Sequence, residues 1–134
     1  LLVRRSCDAP KRESRYCLLM ADKSKPEVWT GERCFITELF NDDAWPEFSL
    51  ARCRVEPGVT TELHALSVHE VYVIEQGHGL MRVGEEGPFE VGPGDTVTIP
   101  KQVAQSITNV ADSDLVFTCV CTPRFLQNCY TSLE

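Results

Sequence analysis

The fold is decided by residues 70–100, which read EVYVIEQGHGLMRVGEEGPFEVGPGDTVTIP. This stretch holds several short apolar runs that are rich in β-branched and aromatic residues, a composition typical of strands. Clusters of glycine and proline separate the runs, and such clusters mark turns because glycine accepts a positive φ and proline fixes its own φ. Residues 70–75 alternate with period two, as in a half-buried strand. The stretch therefore predicts consecutive antiparallel strands joined by tight turns.

The same pattern extends to both sides of this stretch. Turn signals recur at a spacing of roughly 8–12 residues, which is typical of sandwiches and barrels, and no long helical period is seen. We predict an all-β fold, an antiparallel sandwich or barrel, in which Gly58, Gly77 and Gly94 are turn glycines and residues 124–134 form a helical turn or a strap. The predicted strands are residues 34–40, 48–55, 60–66, 70–75, 80–83, 89–91, 96–99, 105–110 and 115–121.

Charge divides the chain into two parts. The chain has 134 residues, which suits a single domain, and a formal net charge of −7. Residues 1–28 contain seven basic and four acidic side chains, whereas residues 29–134 contain six basic and sixteen acidic ones. We therefore predict a basic N-terminal arm or edge strand over residues 1–28 and a barrel over residues 29–134. An acidic body repels phosphate backbones, so nucleic acid is not an expected partner.

Several other classes of function are not expected either. No apolar run approaches the roughly 20 residues of a membrane-spanning helix, so a membrane is not an expected partner. The chain has neither a phosphate-binding loop motif nor a serine nucleophile-elbow motif. Its seven cysteines are too few for a disulfide scaffold and odd in number, so we expect free thiols and a cytoplasmic location. An exposed sheet edge must be covered. We therefore also expect a homodimer in which the N-terminal arm of one subunit pairs with the sheet edge of the other.

Chemically active side chains concentrate around His64 and Glu70. Because side chains alternate along a strand, His64 shares a face with Leu66, and Glu70 shares one with Tyr72. If both faces line the barrel interior, His64 and Glu70 approach each other in an apolar cavity, and a third strand can bring in Gln105. This trio could hold a divalent ion, or it could orient a small organic ligand by hydrogen bonds. The residues alone leave that choice open.

Two motifs in this region resemble those of the cupin family. Gly58-x5-His64-x-Leu66-x3-Glu70-x6-Gly77 resembles the first cupin motif, and Gly94-x5-Pro100-x-Gln102-x2-Gln105-x3-Asn109 resembles the second. The resemblance spans residues 33–125 and implies a small single-domain barrel of the cupin-2 type. Such a barrel is a double-stranded β-helix, or jelly roll, which is usually dimeric and carries its site inside the barrel mouth.

The departures from the family pattern bear on metal binding. The resemblance implies four ligand positions, of which His64 and Glu70 keep two, whereas Leu66 and Gln105 occupy the others. It therefore implies a degenerate metal site, in which His64, Glu70 and Gln105 hold Fe, Mn, Ni or Zn weakly or hold no metal. His69 precedes Glu70 and faces away from it on a regular strand, but at the turn between strands it could swing inward as a further ligand.

The expected function is that of a cupin that binds a small polar metabolite. If the chain is an enzyme, the degenerate metal site favours isomerase, epimerase or lyase chemistry with Glu70 or His64 as the general base. Burial raises the pKa of a carboxyl towards neutrality, which suits proton transfer. Tyr72 could act as the partner acid or orient the ligand. A non-catalytic sensing or structural cupin and a metal-dependent cupin oxygenase are the alternatives. The sequence leaves open whether the chain is an enzyme at all.

Further side chains are candidates for ligand contact on the barrel wall. They are Gln105, Leu66, Met81, Phe117 and Arg54. The apolar members of this set are equally consistent with a packed core. The neighbouring strand also offers a structural alternative for Glu70, which would pair with Arg52 or Arg54 instead of meeting a ligand.

Overall fold

The structure, a computed structural model, describes residues 25–134. Within that range the chain forms strands β1 (Val28–Trp29), β2 (Phe35–Phe40), β3 (Ser49–Val55), β4 (His64–Leu66), β5 (His69–Gln76), β6 (Gly79–Val83), β7 (Glu86–Val91), β8 (Thr96–Ile99), β9 (Gln105–Asn109), β10 (Leu115–Thr122) and β11 (Tyr130–Ser132), with one 3₁₀ turn at Gln127–Cys129. The described part of the chain has no helix that is long and apolar enough to cross a membrane.

The strands form two antiparallel sheets. The first sheet has six strands in the order β1-β2-β3-β10-β5-β8, and the second has five in the order β11-β4-β9-β6-β7. Buried and less buried residues alternate on the central strands, such as β5 and β9, and the main apolar core lies between the two sheets. A second, smaller apolar cluster contains Leu66, Val68, Cys121 and Cys129. The largest fully buried apolar side chains are Phe117, Ile74, Met81, Ile107 and Leu115. The predicted all-β jelly-roll barrel is confirmed.

The predicted strands are all present, but some of their boundaries differ. Predicted strand 60–66 shortens to His64–Leu66, because Thr60 makes only an isolated bridge with Thr108. Predicted strand 89–91 lengthens to Glu86–Val91, so part of the expected turn belongs to the strand. The C-terminal residues contain both expected features, since the 3₁₀ turn leads into β11, which pairs with β4.

The turn glycines and the thiols agree with expectation. Gly58, Gly77 and Gly94 have φ values of 77°, 86° and 91°. At Gly77 a Cβ would also lie 2.6 Å from the carbonyl oxygen of Asp114, so a larger residue is excluded there on two grounds. The cysteines of the described part are all free thiols, and they are Cys34, Cys53, Cys119, Cys121 and Cys129.

The predicted N-terminal arm lies largely outside the described residues, which begin at residue 25. Of the predicted arm, residues 25–28 are described, and Val28 begins β1 by pairing with Ile36 of β2. The sequence did not predict β1, which is only two residues long. The division at residue 28 stays a prediction.

Candidate functional site in the barrel mouth

Three strands bring the predicted site residues together. On β5, Glu70, Tyr72 and Ile74 are buried on one face, as the alternation predicts. His64 on β4 pairs directly with Gln105 on β9. Glu70 stands at the start of β5 near the same end of the barrel, because Gln105 reaches it across the interior.

A small cavity of about 110 Å³ opens between these strands. Five predicted site residues line it, namely His64, Leu66, Glu70, Tyr72 and Phe117. At about 30 Å³ for each water molecule in the liquid, the cavity has room for roughly three or four waters. It adjoins a larger open groove of about 740 Å³. The residues that line both spaces are Glu32, Ile36, Glu38, Phe125 and Tyr130, so the groove is the entrance to the cavity.

Glu70 is a buried carboxyl group with hydrogen bonds but no ion pair in the described part of the chain. Its side chain is 7% exposed. The amide Nε2 of Gln105 donates to Oε1 of Glu70 at 2.8 Å, and the thiol of Cys121 lies 3.6 Å from Oε2. Burial raises the pKa of Glu70 to about 7, although the two hydrogen bonds oppose the rise. The group therefore changes its charge close to neutral pH.

The alternative that an arginine neutralises Glu70 is wrong. Arg52 faces outward and lies 3.6 Å from Glu75. Arg54 also faces outward, where it forms ion pairs with Glu27 at 2.7 Å and Asp114 at 3.2 Å. Its guanidinium stacks over Phe35 at 4.2 Å. Arg54 therefore holds the outer face of the first sheet together and does not reach the cavity.

His64 presents one ring nitrogen towards the cavity. Its Nδ1 lies 2.8 Å from the carbonyl oxygen of Glu62, and a carbonyl can only accept, so Nδ1 carries the proton. Neutral His64 therefore has its lone pair on Nε2, which lies 4.0 Å from Oε2 of Glu32. The ring stacks on Tyr130 of β11 at 4.8 Å. These contacts fix both the tautomer and the plane of the imidazole.

Two more polar groups complete the cavity wall. Tyr72 is 5% exposed and packs against Phe117 with the ring centroids 4.3 Å apart. Its hydroxyl has no hydrogen bond to any residue between 25 and 134, and burial raises its pKa well above the usual value. Burial also raises the pKa of Glu32, an effect that His64 opposes and Glu70 reinforces. The mouth thus contains two carboxyl groups that are easier to protonate than an exposed glutamate.

The structure does not bring every predicted residue to the cavity. Gln105 is fully buried behind Glu70 and acts on it directly, but it does not line the cavity. Met81 is fully buried in the apolar core of the barrel. Arg54 faces outward, as described above. His69 is exposed, and its Nδ1 accepts a hydrogen bond from the backbone N–H of Lys101 at 3.1 Å, so it does not swing inward.

The donor set does not fit a resident metal ion. Leu66 offers no ligand atom, and Gln105 turns its N–H groups towards Glu70. The Gln105 carbonyl oxygen is buried and has no hydrogen-bond partner between residues 25 and 134. Within the same range, no three His, Cys, Asp or Glu side chains are arranged to hold a metal. His64, Glu70 and Glu32 all line the cavity, but they are not arranged as a set of three ligands, and fewer than three protein donors do not hold a metal ion stably.

Sequence reasoning missed the residues that close the mouth. Glu62 accepts hydrogen bonds from the hydroxyls of Tyr130 and Ser132, the latter at 2.6 Å. These contacts hold β11 against β4 and place Tyr130 over His64. Glu32, on the turn between β1 and β2, was also missed. The period-two spacing of Tyr130 and Ser132 was the one available signal of a short strand here.

Comparison with known proteins agrees with the geometry. The family model described as "Cupin domain" (Cupin_2) matches residues 51–121. An uncharacterized protein of Methanocaldococcus jannaschii is 35% identical over 107 residues, which cover 78% of this chain and 84% of that protein.

Solved structures share the fold at low sequence identity. A Pac13 variant of Streptomyces, solved with uridine, has a TM-score of 0.73 and 15% identity over 89% of this chain and 93% of its own. Pac13 is described as a nucleoside dehydratase. An RmlC-like cupin of Shewanella frigidimarina has a TM-score of 0.66 and 15% identity over 78% of this chain and 88% of its own.

Proposed function

The chain belongs to the cupin family, and from this premise we propose that it binds a small polar organic molecule in the barrel mouth and moves a proton on it. The observation that carries the proposal is Glu70, a buried carboxyl group that lines the cavity and has no cationic partner in the described part of the chain. A carboxyl whose pKa is about 7 is half ionised at neutral pH. It can therefore both accept and return a proton under the same conditions.

The proposed reaction class is isomerisation, epimerisation or elimination. In each of these, the carboxylate of Glu70 takes a proton from a carbon atom next to an electron-withdrawing group. The protonated carboxyl then returns that proton to a neighbouring atom of the ligand in isomerisation, or to a leaving hydroxyl, which departs as water, in elimination. In epimerisation a water molecule on the opposite face protonates the carbon atom, and Glu70 releases its proton to the solvent. Tyr72 keeps its proton because its pKa is raised, so it serves as a hydrogen-bond donor to the oxygen on which charge develops.

His64 has a separate role in this proposal. Its Nδ1 proton is held by the Glu62 carbonyl oxygen, so Nε2 is the atom that is available to the bound molecule. In the neutral ring this atom accepts a hydrogen bond from a ligand hydroxyl or acts as a second base. The stacked Tyr130 ring keeps Nε2 in place during such contact.

The fold relatives support this reaction class in general terms only. Pac13 has the same fold and is described as a nucleoside dehydratase, and dehydration is an elimination of water. At 15% identity the likeness concerns the fold. The shared fold supports the proposal only in showing that elimination can be catalysed within a barrel of this kind.

The proposal is tested by ligand screening followed by a search for conversion. Purified wild-type protein, Glu70→Gln and the exposed control Glu90→Gln are screened against polar metabolites by thermal unfolding. A ligand at 100 times its Kd stabilises the protein by about 2.7 kcal/mol, which raises Tm by on the order of 10 °C. Each stabilising compound is then incubated with the three proteins and followed by NMR.

We expect wild-type protein and Glu90→Gln to convert the compound, and Glu70→Gln to bind it without conversion. Gln keeps the size and hydrogen-bonding capacity of Glu but cannot exchange a proton. Equal conversion by Glu70→Gln would reject Glu70 as the group that transfers the proton. Stabilisation by no compound would reject the binding proposal itself.

The size of the cavity favours a second candidate function, that of a non-catalytic binding or structural barrel. Leu66, Tyr72 and Phe117 are each at most 5% exposed and fill much of the barrel interior. The same experiment separates the two candidates. Stabilisation by a compound that none of the three proteins converts would favour a binding module over an enzyme.

A further inference from the structure

We propose that the molecule bound in the barrel mouth is not an anion and is rich in hydroxyl or amino groups, and that the mouth discriminates against phosphorylated and carboxylated molecules. This inference rests on the proposed function and specifies the class of ligand. It follows from the charges that line the cavity and the groove, and from the hydrogen-bonding atoms that face them.

Among the described residues, the charged side chains at the mouth are mostly carboxylates. Glu32 and Glu38 line both the cavity and the groove, Glu70 lines the cavity, and Glu62 lines the groove. The cavity wall contains no lysine or arginine from the described part of the chain. In the groove, Lys25 is the one lysine or arginine among the described lining residues, and its Nζ donates to the carbonyl oxygen of Leu39 at 2.5 Å.

The nearby arginines are engaged elsewhere. Arg33 forms an ion pair with the side chain of Glu134 at 2.8 Å, outside both spaces. Arg54 is held by two carboxylates on the outer face of the first sheet. Among residues 25–134, a phosphate or carboxylate group that entered the cavity would therefore meet carboxylates and no guanidinium or ammonium group on the cavity wall.

With His64 neutral and Glu70 and Glu32 ionised, these three side chains present hydrogen-bond acceptors at the cavity. Neutral His64 offers the lone pair on Nε2, and Glu70 offers Oε2, whose one described contact is the Cys121 thiol at 3.6 Å. Glu32 offers its carboxyl oxygens near the same imidazole. Acceptors of this kind are satisfied by ligand O–H and N–H groups, and not by the oxygen atoms of an anion.

Tyr72 is a further polar side chain on the cavity wall that a ligand can contact. Its side chain is 5% exposed and lines the cavity, yet its hydroxyl has no hydrogen-bond partner among residues 25–134. A ligand hydroxyl next to the Tyr72 hydroxyl would supply the partner, since a hydroxyl both donates and accepts.

The size of the discrimination follows from Coulomb's law. One repulsion between unit charges about 5 Å apart, at an effective dielectric constant near 20, weakens binding by on the order of 100-fold. Protonation of Glu70 or Glu32 reduces this repulsion, so discrimination should be stronger at pH 8 than at pH 6.

The test uses matched families of probes. A panel of pentoses, hexoses and their polyols is measured by calorimetric titration at pH 8, each alongside its phosphate, its acid and its amino derivative. We expect binding to be confined to neutral and amino members, with each anionic member at least about 100-fold weaker. An anionic member that binds as tightly as its neutral parent would overturn the inference while leaving the proposed function standing. If no member binds, both are rejected for this ligand class.

Charge-removing variants give a second readout. Glu38 is exposed on β2, so the Glu38→Gln variant should fold normally. The Glu32→Gln variant removes a second carboxyl group that lines both the cavity and the groove. Either variant should narrow the preference for neutral over anionic members by about tenfold or more, whereas Glu90→Gln should leave it unchanged. A preference that is the same in wild-type protein and in both mouth variants would show that these carboxylates do not select the ligand.

Discussion

Replacing Glu70 with Gln should change the way the free energy of unfolding depends on pH. The pKa of Glu70 is about 7 in the folded protein, against an ordinary value of 4.5. Because the folded state holds the proton more tightly, ionisation of Glu70 destabilises the fold. The penalty is absent below pH 4.5, grows as the pH rises through 7, and is complete above that. A shift of about 2.5 pKa units corresponds to roughly 3 kcal/mol.

The Gln side chain cannot ionise, so the variant escapes this penalty. Relative to wild-type protein, Glu70→Gln should gain stability as the pH rises. The difference in free energy of unfolding, variant minus wild type, should be roughly 3 kcal/mol larger at pH 8.5 than at pH 4. Urea unfolding curves at a series of pH values measure this difference directly, provided that the m-value stays constant. The exposed control Glu90→Gln should show no such pH-dependent gain. If the wild-type and Glu70→Gln profiles run parallel across the range, the argument that burial perturbs Glu70 is refuted.

Other substitutions and treatments test separate contacts. In wild-type protein the N–H group of Gln105 donates to Glu70 and lowers the pKa of Glu70. Gln105→Leu removes this donor, so the midpoint of the pH-dependent loss of stability should lie at a higher pH than in wild-type protein. A midpoint at the same or a lower pH would contradict the contact. Phe117→Ala should cost about 3–5 kcal/mol in urea unfolding, because the ring is 1% exposed and packs on Tyr72, whereas a cost below about 1 kcal/mol would place it outside the core. Tyr130→Phe keeps the stack on His64 but loses the hydroxyl contact with Glu62, and should cost about 1 kcal/mol; a neutral result would show that this hydrogen bond does not stabilise the closed mouth. Dialysis against a chelator should leave the Tm unchanged, since the donor set around His64 does not fit a metal, and a clear fall in Tm would contradict that analysis.

The barrel could be predicted from local patterns. Turn residues and period-two alternation are properties of a few adjacent residues, so they show in the sequence wherever a strand lies between two tight turns. The same alternation correctly placed Glu70 and Tyr72 on one buried face. The terminal strands β1 and β11 are only two and three residues long, and they form by pairing with β2 and β4, so local pattern alone did not reveal them.

Only part of the candidate site could be predicted, because strand alternation is local whereas contacts across the barrel are not. Which face of a strand turns inward follows from alternation, but which side chain meets which across the barrel depends on register and loop geometry. Arg54 was expected at the cavity, yet it lies between the buried Cys53 and Val55 on β3 and so faces outward, where it pairs with Glu27 and Asp114. Tyr130 was not expected at the site, because it reaches His64 through a C-terminal strap that is 66 residues distant along the chain.

The central claim is that Glu70 lines a ligand site and changes its protonation state near neutral pH. Carbon-13 NMR of the glutamate side-chain carboxyl groups measures the pKa of Glu70 directly. The Glu70 resonance is assigned as the one that is missing from Glu70→Gln, and it is followed with and without the most stabilising metabolite. We expect the Glu70 resonance to titrate near pH 7 and its titration to change when the metabolite binds. A Glu70 resonance that titrates near 4.5 and is unaffected by the metabolite would contradict this claim.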